Sequence, residues 1–491
     1  MAWMMASQIS IQGLSFLTSI ATARLLSPRD VGLATEAIVF AQLALVIADF
    51  GVASVIIQRP ELSEQDSATA FWVSMGLGVA LTALGVGASW PIAALYGQPE
   101  VQPLFAVLSF IFLLTAPGIV QGALLTRELE FRALEIRNIV AVAVSSAVAV
   151  GLAAAGFGAW AIVAQSLVIA GLSTVLLWRS SRWRPQWMFA MQSVRDMAEF
   201  AAHTFGARTV AWAQLNADNF LVGRFLGAAP LGAYSIASSV SLTPVNRVAL
   251  PIAQVFFPAF SRIREPERIA EVWLRALRMV ALIVVPIMLG LVIIGQEFVI
   301  ALFGHKWHEA ITPLELLAPI GLLQALAALS NGILQAIGRA RLLWRATAAI
   351  SATSLIAFGA GLPWGIDGVA VAYLIASVVV QPAFLHVSAR AVGLSLWDVC
   401  RALSGLLQAG FGMMAFVFVA RRLLLHEGVP VGVRLLVLVI VGAVSYVPLV
   451  LWRAPQVRRE ITDALRDRAA PPPGPPDVPG SPLSPLVVGG E

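Results

Sequence analysis

Long apolar runs determine what this chain can fold into. Read between charged residues and Pro/Gly punctuation, about fourteen stretches approach the ~20 residues that one helix needs to cross the hydrocarbon core of a bilayer. Backbone amides find no water in lipid, so a spanning segment is either a helix or a strand of a closed barrel. A barrel strand needs only about 9–11 residues, so runs of this length predict helices. The connections are short; the longest, around Arg179–Arg195 and Ser261–Arg275, hold fewer than about twenty residues and leave no room for a soluble catalytic domain. Composition agrees, with 59% hydrophobic and 12% charged residues, against roughly 25% charged in a soluble domain. A soluble enzyme is excluded. The single cysteine, Cys400, excludes an intrachain disulfide and a cysteine-based metal site, and the five histidines lack an HExxH spacing. A G-x-G at Gly85-Val86-Gly87 lies inside an apolar run without the rest of a phosphate loop. The expectation is a non-enzyme with no cofactor and no nucleic-acid partner. The first run has no basic lead-in, so it reads as a retained helix rather than a cleaved signal.

Basic residues set the orientation, because short cytoplasmic loops collect arginine and lysine. With the N-terminus inside, 23 basic residues fall in inner loops and the C-terminal tail, and seven (Arg24, Arg29, Arg224, Lys306, Arg421, Arg422 and Arg434) fall outside. That split predicts both termini in the cytoplasm and an even number of spans. Arg421, Arg422 and Arg434 share one outer turn and run against the rule. After Trp452 the chain becomes charged and then rich in Pro, Gly and Ser, a composition too poor in apolar surface to order itself.

An internal repeat is visible. Ala23-Arg24-Leu25-Leu26-Ser27-Pro28-Arg29-Asp30-Val31-Gly32 resembles Gly223-Arg224-Phe225-Leu226-Gly227-Ala228-Ala229-Pro230-Leu231-Gly232 at an offset of 200. Gln121-Gly122-Ala123-Leu124 matches Asn331-Gly332-Ile333-Leu334, and Gly158-Ala159 matches Gly368-Val369, both at an offset of 210. The fold class predicted is an all-α polytopic membrane protein of about 14 transmembrane helices, two parallel six-helix lobes plus two extra helices. The expected divisions are an N-terminal lobe at 1–190, a C-terminal lobe at 196–390, two additional helices at 398–452, and a cytoplasmic Pro-rich disordered tail at 453–491. Parallel duplication of this kind predicts a transporter whose halves rock about a central site, with a duplicated scaffold as the alternative.

Charges within the spans mark candidate sites, since an ionised side chain at the bilayer centre costs about 2.5–3.5 kcal/mol on insertion scales. Arg208 lies sixteen residues before Arg224, Arg247 sixteen past Leu231, and Asp49 seventeen past Gly32; at 1.5 Å per residue all three sit about 24–26 Å inward, in one layer. One reading is a cationic cavity, in which Arg208 and Arg247 bind an anionic group and Asp49 with Arg247 forms a gate. The other is a static Asp49–Arg247 pair with Arg208 snorkelling inward. Arginine suits phosphate because its planar fork binds bidentately and stays charged. Asn216, Asp218 and Asn219 form a polar cluster that could bind sugar hydroxyls or a coupling cation, or serve as interhelical glue. Glu297 reads as a snorkelling interfacial acid. Pro244 and Pro251 flank Arg247 and predict a broken, hinge-bearing helix there, or plain kinked packing.

Several segments carry a family resemblance. Asn216-Ala217-Asp218-Asn219-Phe220-Leu221-Val222-Gly223-Arg224-Phe225-Leu226-Gly227, Leu231-Gly232-Ala233-Tyr234-Ser235, Phe257-Pro258-Ala259-Phe260-Ser261-Arg262, Ala23 to Pro28, Asp49-Phe50-Gly51 and Gln58-Arg59 resemble the Wzx and colanic-acid-exporter type of polysaccharide flippase. That type belongs to the multidrug/oligosaccharidyl-lipid/polysaccharide (MOP) flippase superfamily, and the likeness covers about residues 7–390. The resemblance implies a two-lobed transporter in the bacterial inner membrane. It would move undecaprenyl-diphosphate-linked oligosaccharide by alternating access, driven by an ion gradient (H+ or Na+, left open). Lipid-linked oligosaccharide, membrane lipids and a glycan polymerase or export machinery are the partners implied. Arg208, Arg247 and Arg24 match the arginine-lined cavity of relatives that handle diphosphate lipids. A multidrug or cation antiporter is the alternative within transport; a polytopic glycan polymerase or ligase is the alternative of another class.

Overall fold

The structure is a computed structural model that describes residues 2–48, 52–59, 61–263, 265–457 and 459–460. The first lobe contains α1 (Ala2–Leu25), α2 (Pro28–Ala48), α3 (Val52–Gln58), α4 (Glu64–Tyr96), α5 (Val101–Leu108), α6 (Phe110–Thr115), α7 (Ile119–Arg127), α8 (Phe131–Ala154) and α9 (Trp160–Ser180). The second contains α10 (Met191–Leu226), α11 (Ala228–Pro244), α12 (Leu250–Arg262), α13 (Pro266–Leu302), α14 (Ile311–Ala336), α15 (Ala340–Gly361) and α16 (Gly365–Ala391). Two further helices, α17 (Leu396–His426) and α18 (Val431–Arg453), follow. Some of these are pieces of one crossing: α5 to α7 make one, and α11 with α12 another. Assembled that way, the helices follow the apolar runs in order, and no strand occurs among the described residues. Ten helical stretches of the described residues are individually long and apolar enough to span. The chain is an all-α multi-pass membrane protein of two parallel lobes with two added helices.

Local chemistry explains the helix boundaries. Ser63 and Ser395 begin α4 and α17 with reciprocal capping boxes, to Asp66 and Asp398, satisfying amides that a helix start leaves unpaired. Gly97 ends α4 in the left-handed region at φ 69°. The break expected around Arg247 is present as a π-helical turn, Val245–Ala249. Pro244 closes α11 and Pro251 opens α12. The ring of Pro251 removes an amide and crowds the carbonyl four residues back, so the extra residue is absorbed in a wider turn.

Water does not drive helices together in lipid, so close packing and polar contacts do. The first lobe buries Leu104, Phe105, Leu108 and Phe112 of the broken fourth crossing against α2 and α4. The second lobe packs around α13 and α14, with Trp273, Val280, Val284, Met288 and Leu329 all sealed from solvent. Helix α17 lies on α13 and carries α18 with it. The lobes are joined by α10, whose 36 residues span about 54 Å, well beyond a ~30 Å core. Its first turns belong to the first lobe: Arg59 pairs with Asp196 at 2.7 Å, and Ser193 donates to Asp66 at 2.6 Å. Residues 461–491, most of the expected tail, lie outside the described residues.

Candidate functional site

The two lobes meet at the arginine-poor end of the bundle. There the repeat becomes a physical seam, because α2 and α11 cross at their first turns with no side chain between them. A Cβ added to Gly32 would stand 1.7 Å from the Ala228 carbonyl oxygen, and one added to Gly232 would stand 1.9 Å from that of Pro28. The glycines are counterparts at the 200-residue offset, and each receives the other lobe's backbone. Beside them the ends of α1 and α13 cap each other. Arg24 Nε donates to the Leu302 carbonyl at 2.7 Å and Nη2 to that of Ala301 at 2.5 Å. In return Lys306 donates to the Arg24 carbonyl and Trp307 Nε1 to that of Ala23, both at 2.8 Å. Inward from the glycines lie Glu36 and then an edge-to-face set of Phe40, Tyr96 and Phe220, centroids 5.9–6.0 Å apart.

At the arginine-rich end, among the described residues, α12 packs on α13, α14 and the π turn. A cavity of about 320 Å³ lies inside the second lobe, between α10, α11, α14, α15 and α16. Asp218 lines it, 9% exposed. The Tyr234 hydroxyl lies beside Asp218, and Gln324 donates to the Tyr373 hydroxyl at 2.6 Å in the same wall. This wall offers one carboxylate and several neutral oxygens, a donor set suited to a small cation or to hydroxyl groups.

The expected site residues fall in different places. Arg24 is at the seam, its fork occupied by carbonyls, and does not line the cavity. Arg247 is exposed on the π turn and makes no ion pair or side-chain hydrogen bond among the described residues; it too lies outside the cavity wall. Arg208 is on α10, but its side chain lies outside the described residues, as does the whole of Asp49. The Arg208–Arg247 pair and the Asp49–Arg247 gate therefore both lie outside the described residues. Of the polar cluster, Asp218 reaches the cavity and accepts from the Asn219 amide at 2.8 Å. Asn216 is turned back on the Trp212 carbonyl at 3.0 Å.

Sequence reasoning missed Glu36, Tyr234, Tyr373 and Gln324. Glu36 was findable, being an acid inside an apolar run, the criterion that selected Asp49. The tyrosines and the glutamine give no such signal, since only packing decides whether they face a neighbour or lipid. Glu297 does not snorkel to solvent. It is fully buried and holds Arg421 at 2.8 Å and Arg434 at 3.1 Å.

Comparison with known proteins agrees with this architecture. Residues 21–312 match the family described as Polysaccharide biosynthesis protein. The chain is 28% identical to the succinoglycan biosynthesis transport protein ExoT of Rhizobium meliloti over 96% of both chains. It is 30% identical to the lipopolysaccharide biosynthesis protein WzxC of Escherichia coli over 69% of both. It is also 30% identical to the teichuronic acid biosynthesis protein TuaB of Bacillus subtilis, over 86% of this chain and 88% of that one. Among solved structures, the lipid II flippase MurJ in an inward closed conformation superposes with a TM-score of 0.78, at 14% identity, over 93% of this chain and 100% of that one. An inward-facing multidrug resistance transporter of the MATE family, in the MOP superfamily, superposes with a TM-score of 0.61 at 15% identity over 78% of this chain and 95% of that one. These likenesses share the fold. With more than half of its length matching and Wzx-type relatives beside it, the chain belongs to the polysaccharide biosynthesis protein family.

Proposed function

We propose that this protein flips polyprenyl-diphosphate-linked oligosaccharides across the bacterial inner membrane, from the cytoplasmic to the outer leaflet, with both termini in the cytoplasm. The observation that carries the reading is the one-sided closure. The lobes are joined by reciprocal glycine contacts at the arginine-poor end, while at the other end, among the described residues, α12 packs within the second lobe. A two-lobed body closed on one side is what alternating access requires. The relatives named for succinoglycan, lipopolysaccharide and teichuronic acid synthesis supply the substrate class. Arg208 and Arg247 take the diphosphate, with Asp49 as the gate against Arg247 and the π turn between Pro244 and Pro251 as the hinge. Asp218 seats a coupling ion, H+ or Na+. A glycan polymerase or export machinery receives the product, and the chain itself makes and breaks no covalent bond.

Reconstitution tests this directly. Proteoliposomes carrying a fluorescent undecaprenyl-diphosphate oligosaccharide are expected to lose protection of the inner-leaflet lipid from a membrane-impermeant quencher. Arg247→Ala and Arg208→Ala should slow that loss at least tenfold, with partial recovery in the lysine variants. Efflux of a cationic dye with no lipid movement would establish a drug antiporter instead, and a lengthened glycan would establish a polymerase. Full flipping in every arginine variant would remove the diphosphate site.

A further inference from the structure

We infer that Glu36 is a proton-binding site that controls closure of the seam, holding a proton while the lobes are shut and releasing it to the arginine-poor side when they part. The inference rests on the alternating-access reading above. It starts from an orphaned side chain: Glu36 is 0% exposed, and both of its carboxyl oxygens are buried without a hydrogen-bond partner. A buried ionised carboxylate needs a cation or several donors, and desolvation penalises it heavily without them. Neither is present.

The groups that face Glu36 can be enumerated from the helices packed on α2. From α4 comes Tyr96, whose hydroxyl is itself buried and unpartnered. From α10 comes Gly223, where an added Cβ would stand 3.2 Å from Glu36 Cγ. The next residue, Arg224, is exposed and lies over the Phe225 ring. Helices α5 and α6 carry no ionisable side chain. In α11 only Tyr234 ionises, and it lies beside Asp218; Arg179 of α9 is at the far end of its helix. Arg29 of α2 is bound to Glu100 at 2.7 Å, and that pair is half exposed at the mouth. Among the described residues, every ionised group is thus engaged elsewhere, as in the Arg29–Glu100 pair, or remote.

Position makes the site conformational. Glu36 lies one turn inward from Gly32, between the glycine crossing and the Phe40–Tyr96–Phe220 plug. Gly223, which lies against Glu36, and Phe220 of the plug belong to α10, which reaches the seam from the second lobe. Parting α2 from α10 and α11 therefore uncovers Glu36 to water on that side. The carboxyl O–H bond then breaks to water, leaving a solvated carboxylate, and reprotonation from the same side precedes reclosure. One proton leaves and one returns per opening.

Spin labels on full-length protein in nanodiscs test this without any substrate. Phe157→Cys and Trp364→Cys, exposed residues in the α8–α9 and α15–α16 turns of the two lobes, are labelled in a Cys400→Ser background, and their distance distribution is measured between pH 5.5 and 8.5. The short, closed population is expected to fall as pH rises, by up to about tenfold per pH unit, the limit for one proton. Glu36→Gln should remain closed throughout, and Glu36→Asp should keep the pH response. An unchanged response in Glu36→Gln, or none in the parent protein, overturns the inference. If the response is present and Glu36-dependent but no lipid is flipped, the proton site stands and the transport reading fails.

Discussion

The seam turns on atoms that are missing. Gly32 and Gly232 let backbone lie on backbone, and the next group inward, Glu36, is the only acid in α2 beyond its first turn. Adding one methyl group at Gly32 would set it 1.7 Å from the Ala228 oxygen, so α2 and α11 must separate. Overpacking of this kind costs about 1–3 kcal/mol, which is about 5- to 150-fold in a two-state equilibrium. Gly32→Ala and Gly232→Ala are each expected to raise the outer-open population by that factor, measured as the accessibility of a Phe220→Cys probe to an impermeant thiol reagent. Equal accessibility in parent and variants would mean that the crossing does not hold the seam. The arginines show a second residue-scale rule. Arg127 donates to the Ile56 and Arg59 carbonyls at the end of α3, and Arg24 does the same for α13. A basic side chain at a helix end satisfies orphan carbonyls and the negative pole of the dipole. Sequence position marks such residues as boundary arginines, but not which helix end they cap, because Arg24 acts on a carbonyl 278 residues away.

Helices α17 and α18 show how an apparent violation of a rule can encode packing. Arg421 and Arg434 break the charge bias because they serve a buried acid: both reach Glu297 of α13, and Arg421 also bonds Gln296 at 2.8 Å. The added pair of helices is thereby fastened to the second lobe at its arginine-poor end. At the other end Arg278 of α13 pairs with Glu460. Removing Glu297 leaves two arginines confronting each other in a site with little water. Breaking a buried pair from one side costs about 3–5 kcal/mol, so Glu297→Ala should lower the thermal unfolding midpoint in detergent. The double variant Glu297→Leu with Arg421→Leu should recover part of the loss, and no loss in the single variant would show that the cluster fastens nothing. The elements themselves were legible, because their lengths follow from membrane thickness and their order from the apolar runs. The burial of Glu297 was not legible, because depth along a helix says nothing about which face is covered. The break at Arg247 was legible through Pro244 and Pro251, while its form as a π turn, rather than a kink or an interruption, was not.

At the scale of the molecule, the repeat and the arginine count converge on one arrangement. The repeat puts equivalent helix starts face to face, so the seam has an internal near-symmetry that a parallel duplication produces automatically. The cavity beside Asp218 does not share it: it lies in the second lobe, and its position could not be read from a repeat that treats the halves alike. Function by alternating access also requires a defined sidedness, and the chain carries its own reporter. Cys400 is the single cysteine, is exposed, and sits one turn into α17 at the arginine-rich end. Phe157, in the turn between α8 and α9 at the opposite end, is 55% exposed. If positive charge sets orientation here, an impermeant maleimide should leave Cys400 unlabelled in spheroplasts and label it in inverted vesicles. Phe157→Cys in a Cys400→Ser background should give the reverse. Labelling of Cys400 from outside would invert the whole assignment. The seam would then close toward the cytoplasm, and the closed state described here would be the one that faces outward.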